Sequence, residues 1–118
     1  MSVAAAQAAA FYAEVAESDL VFTIRDEEGF PAPMTPSGVR SQPFWSKRSR
    51  AECIIKNVAA YQGMHVVEVA RDDWLNKWLP GLESDGMLVG INWSGQAATG
   101  YDLSPSDAVR NVSALTQG

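Results

Sequence analysis

Pro31, Pro33, Pro36 and Pro43 place four prolines within thirteen residues, and no other stretch limits the fold so sharply. Proline has no backbone N–H to give to a sheet ladder, and its ring is excluded from helix interiors. Residues 30–43 are therefore predicted to be a long loop or an edge segment, with regular structure to either side. On the N-terminal side, Ala4, Ala8, Phe11, Tyr12 and Val15 recur at helical spacing among strong helix formers. They predict an amphipathic helix over 3–17, ended by Ser18 and Asp19. This alanine-rich start lacks the positive n-region of a secretory signal, and Gln7 and Glu14 interrupt it. LVFTIR at 20–25 is β-branched and aromatic, so it reads as a strand with Leu20, Phe22 and Ile24 on one side and Val21, Thr23 and Arg25 on the other. Asp26-Glu27-Glu28-Gly29 follows as a turn.

Beyond the prolines, Ser49-Arg50-Ala51-Glu52 has the spacing of a reciprocal capping box, with Ser46 as an alternative start one turn earlier. Ala51, Ile54, Ile55 and Val58 then form a buried stripe, and Glu52 and Lys56 an i,i+4 ion pair on the outer face. HVVEVA at 65–70 reads as a strand. Asp72 is placed to cap a helix that presents Trp74, Leu75, Trp78, Leu79 and Leu82 on one face and is broken or kinked by Pro80. Residues 87–93 and 96–102 flank Ser94-Gly95, where a two-residue hairpin would set Ile91 opposite Ala98 and Val89 opposite Gly100. In that register Met87, Val89, Ile91, Trp93, Ala98 and Gly100 share the core face, and Leu88, Gly90, Asn92, Ala97, Thr99 and Tyr101 the other. Ser104, Pro105 and Asp107 start a last helix over about 105 to 114.

The order α-β-(loop)-α-β-α-β-β-α predicts an α+β fold: a single compact domain over 1–118, with a mostly antiparallel sheet covered by helices on one face. At 118 residues and 47% hydrophobic, the chain can bury a core without covalent staples. Its one cysteine, Cys53, has no partner for an internal disulfide or a zinc site, which points to a cytoplasmic protein. No apolar run approaches the roughly 18 residues of a membrane span, so no membrane partner is expected.

The stretches PFWSKRSRAECIIKNVAAYQG and WLPGLESDGMLVGINWSGQAATGYDLSPSDA carry a resemblance. Their phrases FWSxRSRAE, WLPGL and VGxNWSG resemble the bacterial domain-of-unknown-function family numbered 2750. The resemblance covers residues 20 to about 110 and implies a small stand-alone bacterial protein. The family brings no established activity, so function has to be argued from the residues.

A net charge of −5 argues against nucleic-acid binding, which relies on cations meeting phosphates. Residues 40–56 nevertheless hold Arg40, Lys47, Arg48, Arg50 and Lys56 against Glu52 alone. This basic island would pair with the chain's own carboxylates, such as those at 26–28 or 83–85, hold an anionic partner or small anion, or remain solvated. His65 is the only histidine, Cys53 reads as a small core or boundary side chain, and the clustered carboxylates fit turn and cap roles. No catalytic residue, metal ligand or cofactor is therefore assigned. Trp45 and Trp93 each precede a serine at an element boundary, where an aromatic covers a core edge or presents a contact surface. Gly90 and Gly100 mark close approach, most simply of a helix, and Asn92 beside them can cap a loop or face a ligand. The candidate binding residues are thus Trp45, Ser46, Arg48, Arg50, Asn92, Trp93 and Ser94. The leading expectation is a non-enzymatic protein-interaction module, monomer or homodimer, that meets an acidic surface of another protein. The alternative is a small-anion or metabolite-binding protein, with or without catalysis, which requires Ser46, Arg48, Arg50 and Asn92 to converge on one pocket.

Overall fold

In the computed structural model, which describes residues 3–95 and 98–116, the proline run is only partly a loop. Ser41–Phe44 form strand β2, every residue of it buried. It lies parallel to β4 (Leu88–Ser94), with Ser41 beside Leu88 and Phe44 beside Ile91. Pro43 fits because the backbone groups of a strand alternate between its two sides, and its missing N–H falls away from β4. On that side the Thr23 hydroxyl donates to the Pro43 carbonyl at 3.0 Å. Two residues on, Trp45 and Phe22 exchange backbone hydrogen bonds at 2.7 and 2.8 Å. This exchange links two small sheets. One pairs β1 (Leu20–Arg25) antiparallel with β3 (His65–Ala70), and the other has the order β2-β4-β5, with β5 (Thr99–Leu103) antiparallel to β4. Across the molecule the strands run β3-β1-β2-β4-β5.

Four helices among the described residues cover both faces, not the one face expected. The helices α1 (Val3–Ser18) and α4 (Pro105–Thr116), together with a helical run over 71–84 called α3, enclose Phe11, Val15, Val21, Phe44, Trp74, Val89, Ile91 and Val112. Helix α2 (Arg48–Asn57) and the short turn Ala59–Tyr61 cover a second cluster of Phe22, Ile24, Trp45, Ala51, Ile54, Tyr61 and Trp93. The reason lies in β1, whose two sides carry Val21 and Phe22 with Ile24: an apolar set on each side needs a cover on each side. No helix among the described residues is long and apolar enough to cross a membrane.

Two helix details depart from the sequence expectation. α3 begins at Arg71 behind Ala70, which makes no side-chain cap, so Asp72 is not the cap. Pro80 does not end the helix either. Trp74–Trp78 is a π-helical stretch, closed by the Leu79 N–H on the Trp74 carbonyl, and α-helix resumes through Pro80 to Ser84. A π turn widens the helix where the proline ring would otherwise meet the carbonyl four residues back. Trp74, Leu79 and Leu82 stay buried throughout. At the start of α4, the Ser104 hydroxyl accepts the Asp107 N–H at 3.1 Å, as its cap position requires.

The β4–β5 hairpin differs most. Ser94 pairs with Thr99, so the connection covers 95–98 and is not the two-residue Ser94-Gly95 turn; Gln96 and Ala97 lie outside the described residues. Ile91 faces Tyr101 and Val89 faces Leu103, with a bulge between Ile91 and Ser94. Asn92 sits in the bulge with φ of 46°, a left-handed backbone that asparagine tolerates better than most residues. The extra residue reverses the alternation of side chains. Val89 and Ile91 stay with α1, whereas Trp93, expected on their face, joins the cluster under α2. There its indole lies over two glycines: a Cβ on Gly90 would come within 2.4 Å of it and one on Gly100 within 2.9 Å. The close approach that these glycines permit is by a side chain of the same sheet and not by a helix.

Candidate functional site

The bulge that turns Trp93 inward also aims Asn92 at the junction between β2 and α2. α2 starts at Arg48, with Lys47 as a cap residue that makes no side-chain bond. The expected capping box of Ser49 and Glu52 therefore does not form. Glu52 and Lys56 do not pair among the described residues either. Ser46, the alternative start, is committed elsewhere. Its backbone N–H donates to Asn92 Oδ1 at 3.0 Å, and its hydroxyl oxygen accepts from Asn92 Nδ2 at 2.9 Å. That leaves the one hydroxyl proton for Glu14 Oε1 at 2.5 Å.

The contacts close into a ring. Arg50 donates from Nε and Nη2 to the two oxygens of Glu14 at 3.0 and 3.1 Å, and from Nη1 to Gln7 Oε1 at 2.6 Å. Asn92 Nδ2 returns to the Gln7 carbonyl at 3.1 Å. Gln7 and Glu14 of α1, Ser46, Arg50 of α2 and Asn92 of β4 thus tie three elements together with charge-assisted and neutral hydrogen bonds. Burial opposes the charge on Glu14. The hydrogen bonds from Arg50 and Ser46, with the charges of Arg50 and Lys47, outweigh it and hold the carboxyl below its ordinary value. Glu14 is thereby a fixed anion and a poor proton acceptor. Ser46 beside it is only 1% exposed, whereas the Glu14 side chain is 22% exposed.

Above the ring lies a cavity of about 480 Å³ between α1, α2 and the end of β4. Ile54 and Trp93 give it apolar walls, and Arg50, Asn57, Asn92 and Ser94 its polar side. Arg50 has five N–H groups, three of which serve the ring, so two remain. Cys53 is exposed on the same wall, where the Asn57 amide donates to its sulfur at 3.1 Å. It is not the core or boundary residue expected from its place beside the stripe.

Over residues 8–111 the chain matches DUF2750, Protein of unknown function. The chain belongs to this family. The match takes in every member of the ring except Gln7. No curated protein matches this DUF2750 chain.

Of the residues singled out in the sequence, Arg50, Asn92, Trp93 and Ser94 line the DUF2750 chain's cavity. Trp45 and Ser46 lie beneath it. Trp45 is fully buried and donates its indole N–H to the Trp93 carbonyl at 2.9 Å. Arg48 points elsewhere, 3.9 Å from Glu68 and over the Phe22 ring at 5.6 Å. The pocket of Ser46, Arg48, Arg50 and Asn92 therefore does not assemble as a set of four. Both guanidinium groups find carboxylates inside the chain, Glu14 and Glu68, and not the segments at 26–28 or 83–85. The contributions of Gln7, Glu14, Cys53 and Asn57 went unassigned. Gln7 and Glu14 did carry a signal, since they share a helical stripe with Phe11 and so must face the packed side of α1.

Proposed function

We propose that this chain is a non-enzymatic binding domain whose cavity holds a small molecule with an apolar body and a hydrogen-bond-accepting end. The observation that carries this reading is the cavity of about 480 Å³ in which the Ile54 and Trp93 walls meet Arg50, two of whose five N–H groups the ring does not use. A volume of that size falls in the range of small-molecule sites, which are mostly apolar with a few fixed polar groups. Because Glu14 already balances Arg50, a neutral acceptor or a single negative charge suits the site better than a phosphate-like dianion. The ring beneath supports the reading by fixing Arg50 and Asn92 before any ligand arrives.

Cys53 is the only cysteine, so a maleimide adduct there labels the cavity wall specifically. A metabolite screen by thermal shift should yield a compound that stabilises the unlabelled protein, by about 2.7 kcal/mol at a hundredfold excess over Kd. The same compound should slow Cys53 alkylation and lose its effect on the labelled protein. Stabilisation that survives labelling would place the ligand elsewhere and end this reading.

A protein-contact role for the basic island rests on Arg48, whose side chain is 53% exposed despite its long contact with Glu68. Charge reversal at Arg48 should then weaken capture of an acidic partner without lowering the melting temperature. Loss of stability with capture intact would contradict that role.

A further inference from the structure

On the far side of Trp93 lies a second slot, of about 400 Å³, beneath the proline-rich loop. Pro33, Met34 and Pro36 form its outer lip, Tyr61 and Trp93 its aromatic wall, and Asp102 is the only ionised lining group among the described residues. Asp102 is half-buried, and its Oδ1 accepts the Ser41 hydroxyl at 2.6 Å. No cation pairs with it among the described residues. The loop's own cation, Arg40, turns away to the Ala32 carbonyl at 2.9 Å. Met34 is held 57% exposed at the mouth, although methionine is a side chain that readily adapts to an apolar occupant.

We propose that this slot binds a methylated organic ammonium group, with Asp102 as counter-charge and Tyr61, Trp93 and Met34 around the methyl groups. An unpaired carboxylate in an aromatic-walled slot asks for a positive charge, which is drawn to ring faces as well as to the acid. The chain's net charge of −5 favours the approach of cations. Methylation follows from the apolar lining. Pro33, Met34, Pro36, Trp93 and Ala98 surround the one carboxylate, so methyl groups find apolar partners where the N–H groups of a primary ammonium would have to give up water. Among the described residues the site shares only Trp93 with the cavity above the ring, and neither proposal depends on the other.

The test is titration of the whole chain with choline, with a trimethyllysine peptide and with 3,3-dimethylbutanol, the neutral isostere of choline, followed at the Trp93 indole N–H by NMR. Choline or the peptide should shift that resonance, and the neutral isostere should bind about tenfold more weakly. Asp102→Asn, which keeps an acceptor for Ser41, should weaken the ammonium by about tenfold as well, with Asp102→Glu recovering part of the loss. Binding of both probes assigns the slot to a free ammonium metabolite, and binding of the peptide alone to a modified side chain on a partner. Equal binding of the isostere, an unchanged affinity in Asp102→Asn, or no probe shifting Trp93 overturns the proposal. Where Asp102→Asn fails to fold, the wild-type comparison of choline with its isostere decides alone.

Discussion

Arg48 and Arg50 stand two positions apart on one helix and meet different surroundings. A helix turns about 200° over two residues, so Arg50 faces α1 and the cavity while Arg48 faces β3. Arg50 is 28% exposed and held by two contacts to one carboxylate, with a third to Gln7. Arg48 is 53% exposed, 3.9 Å from Glu68. The same residue type in one cluster is thus part of the framework on one side and a near-solvated charge on the other. A concentration of cations in sequence is not a concentration in space, because the helix distributes them around its axis.

The comparison can be broken most forcefully at Asn92, which supports the Arg50 side alone. Asn92→Leu leaves the Ser46 N–H and the Gln7 carbonyl without their partner and puts a side chain ill-suited to positive φ into the bulge. A loss of about 3 kcal/mol is expected in urea denaturation, and a loss of a few tenths would mean that the ring holds nothing together. Next comes Arg50→Ala, expected to lose about 2 kcal/mol because the half-buried Gln7 amide oxygen loses its donor and Glu14 keeps only the Ser46 hydroxyl. Arg50→Lys should recover less than half, since an ammonium cannot reproduce the planar two-point contact.

Acid sharpens the contrast. The carboxyl of Glu14 is held below its ordinary value of 4.5 in the folded chain, so its contribution is present above that value and is lost as pH falls through the depressed one. Glu14→Gln should be less stable than the parent by about 1 kcal/mol at neutral pH. That gap should close as the pH drops below 4.5, which denaturation midpoints along a pH series would record. A gap that stays constant into acid would show that Glu14 acts by shape and not by charge. The smallest effect belongs to Arg48→Ala, less than about 0.5 kcal/mol, as for other exposed ion pairs. An effect equal to that of Arg50→Ala would erase the distinction.

Much of the fold was legible because local patterns carried it. The strands at 20–25 and 65–70, the turn at 26–29 and the serine cap before Pro105 depend on neighbours a few residues away, and they stand where the pattern puts them. The helix start at 46–52 was misread for the opposite reason. Ser49 and Glu52 have the spacing of a capping box, but the tertiary partners of Ser46 and Arg50 fix the helix start without it. β2 was hidden by Pro43, since a proline rules out a strand only if its missing donor is needed, and which side is laddered is not written locally. Within the candidate site, Asn92, Arg50, Trp93 and Ser94 stood out by residue type and position. Cys53 did not, because adjacency to a buried stripe does not say on which side of the helix edge a residue falls.

The sequence by itself determined the order of the elements other than β2, the two-sided apolar character of β1, the commitment of Trp74 and Trp78 to a packed face and the uneven placement of charge. Periodicity and chain geometry act over a few residues, and a single sequence records them. Only the tertiary structure decided that a one-residue bulge at Asn92 carries Trp93 to the opposite face, where Gly90 and Gly100 make room for it. It likewise decided that Gln7, Glu14, Ser46, Arg50 and Asn92 close a ring. Those residues lie as many as 85 positions apart, and what joins them is the crossing of α1 over the α2–β4 seam, which no local pattern contains.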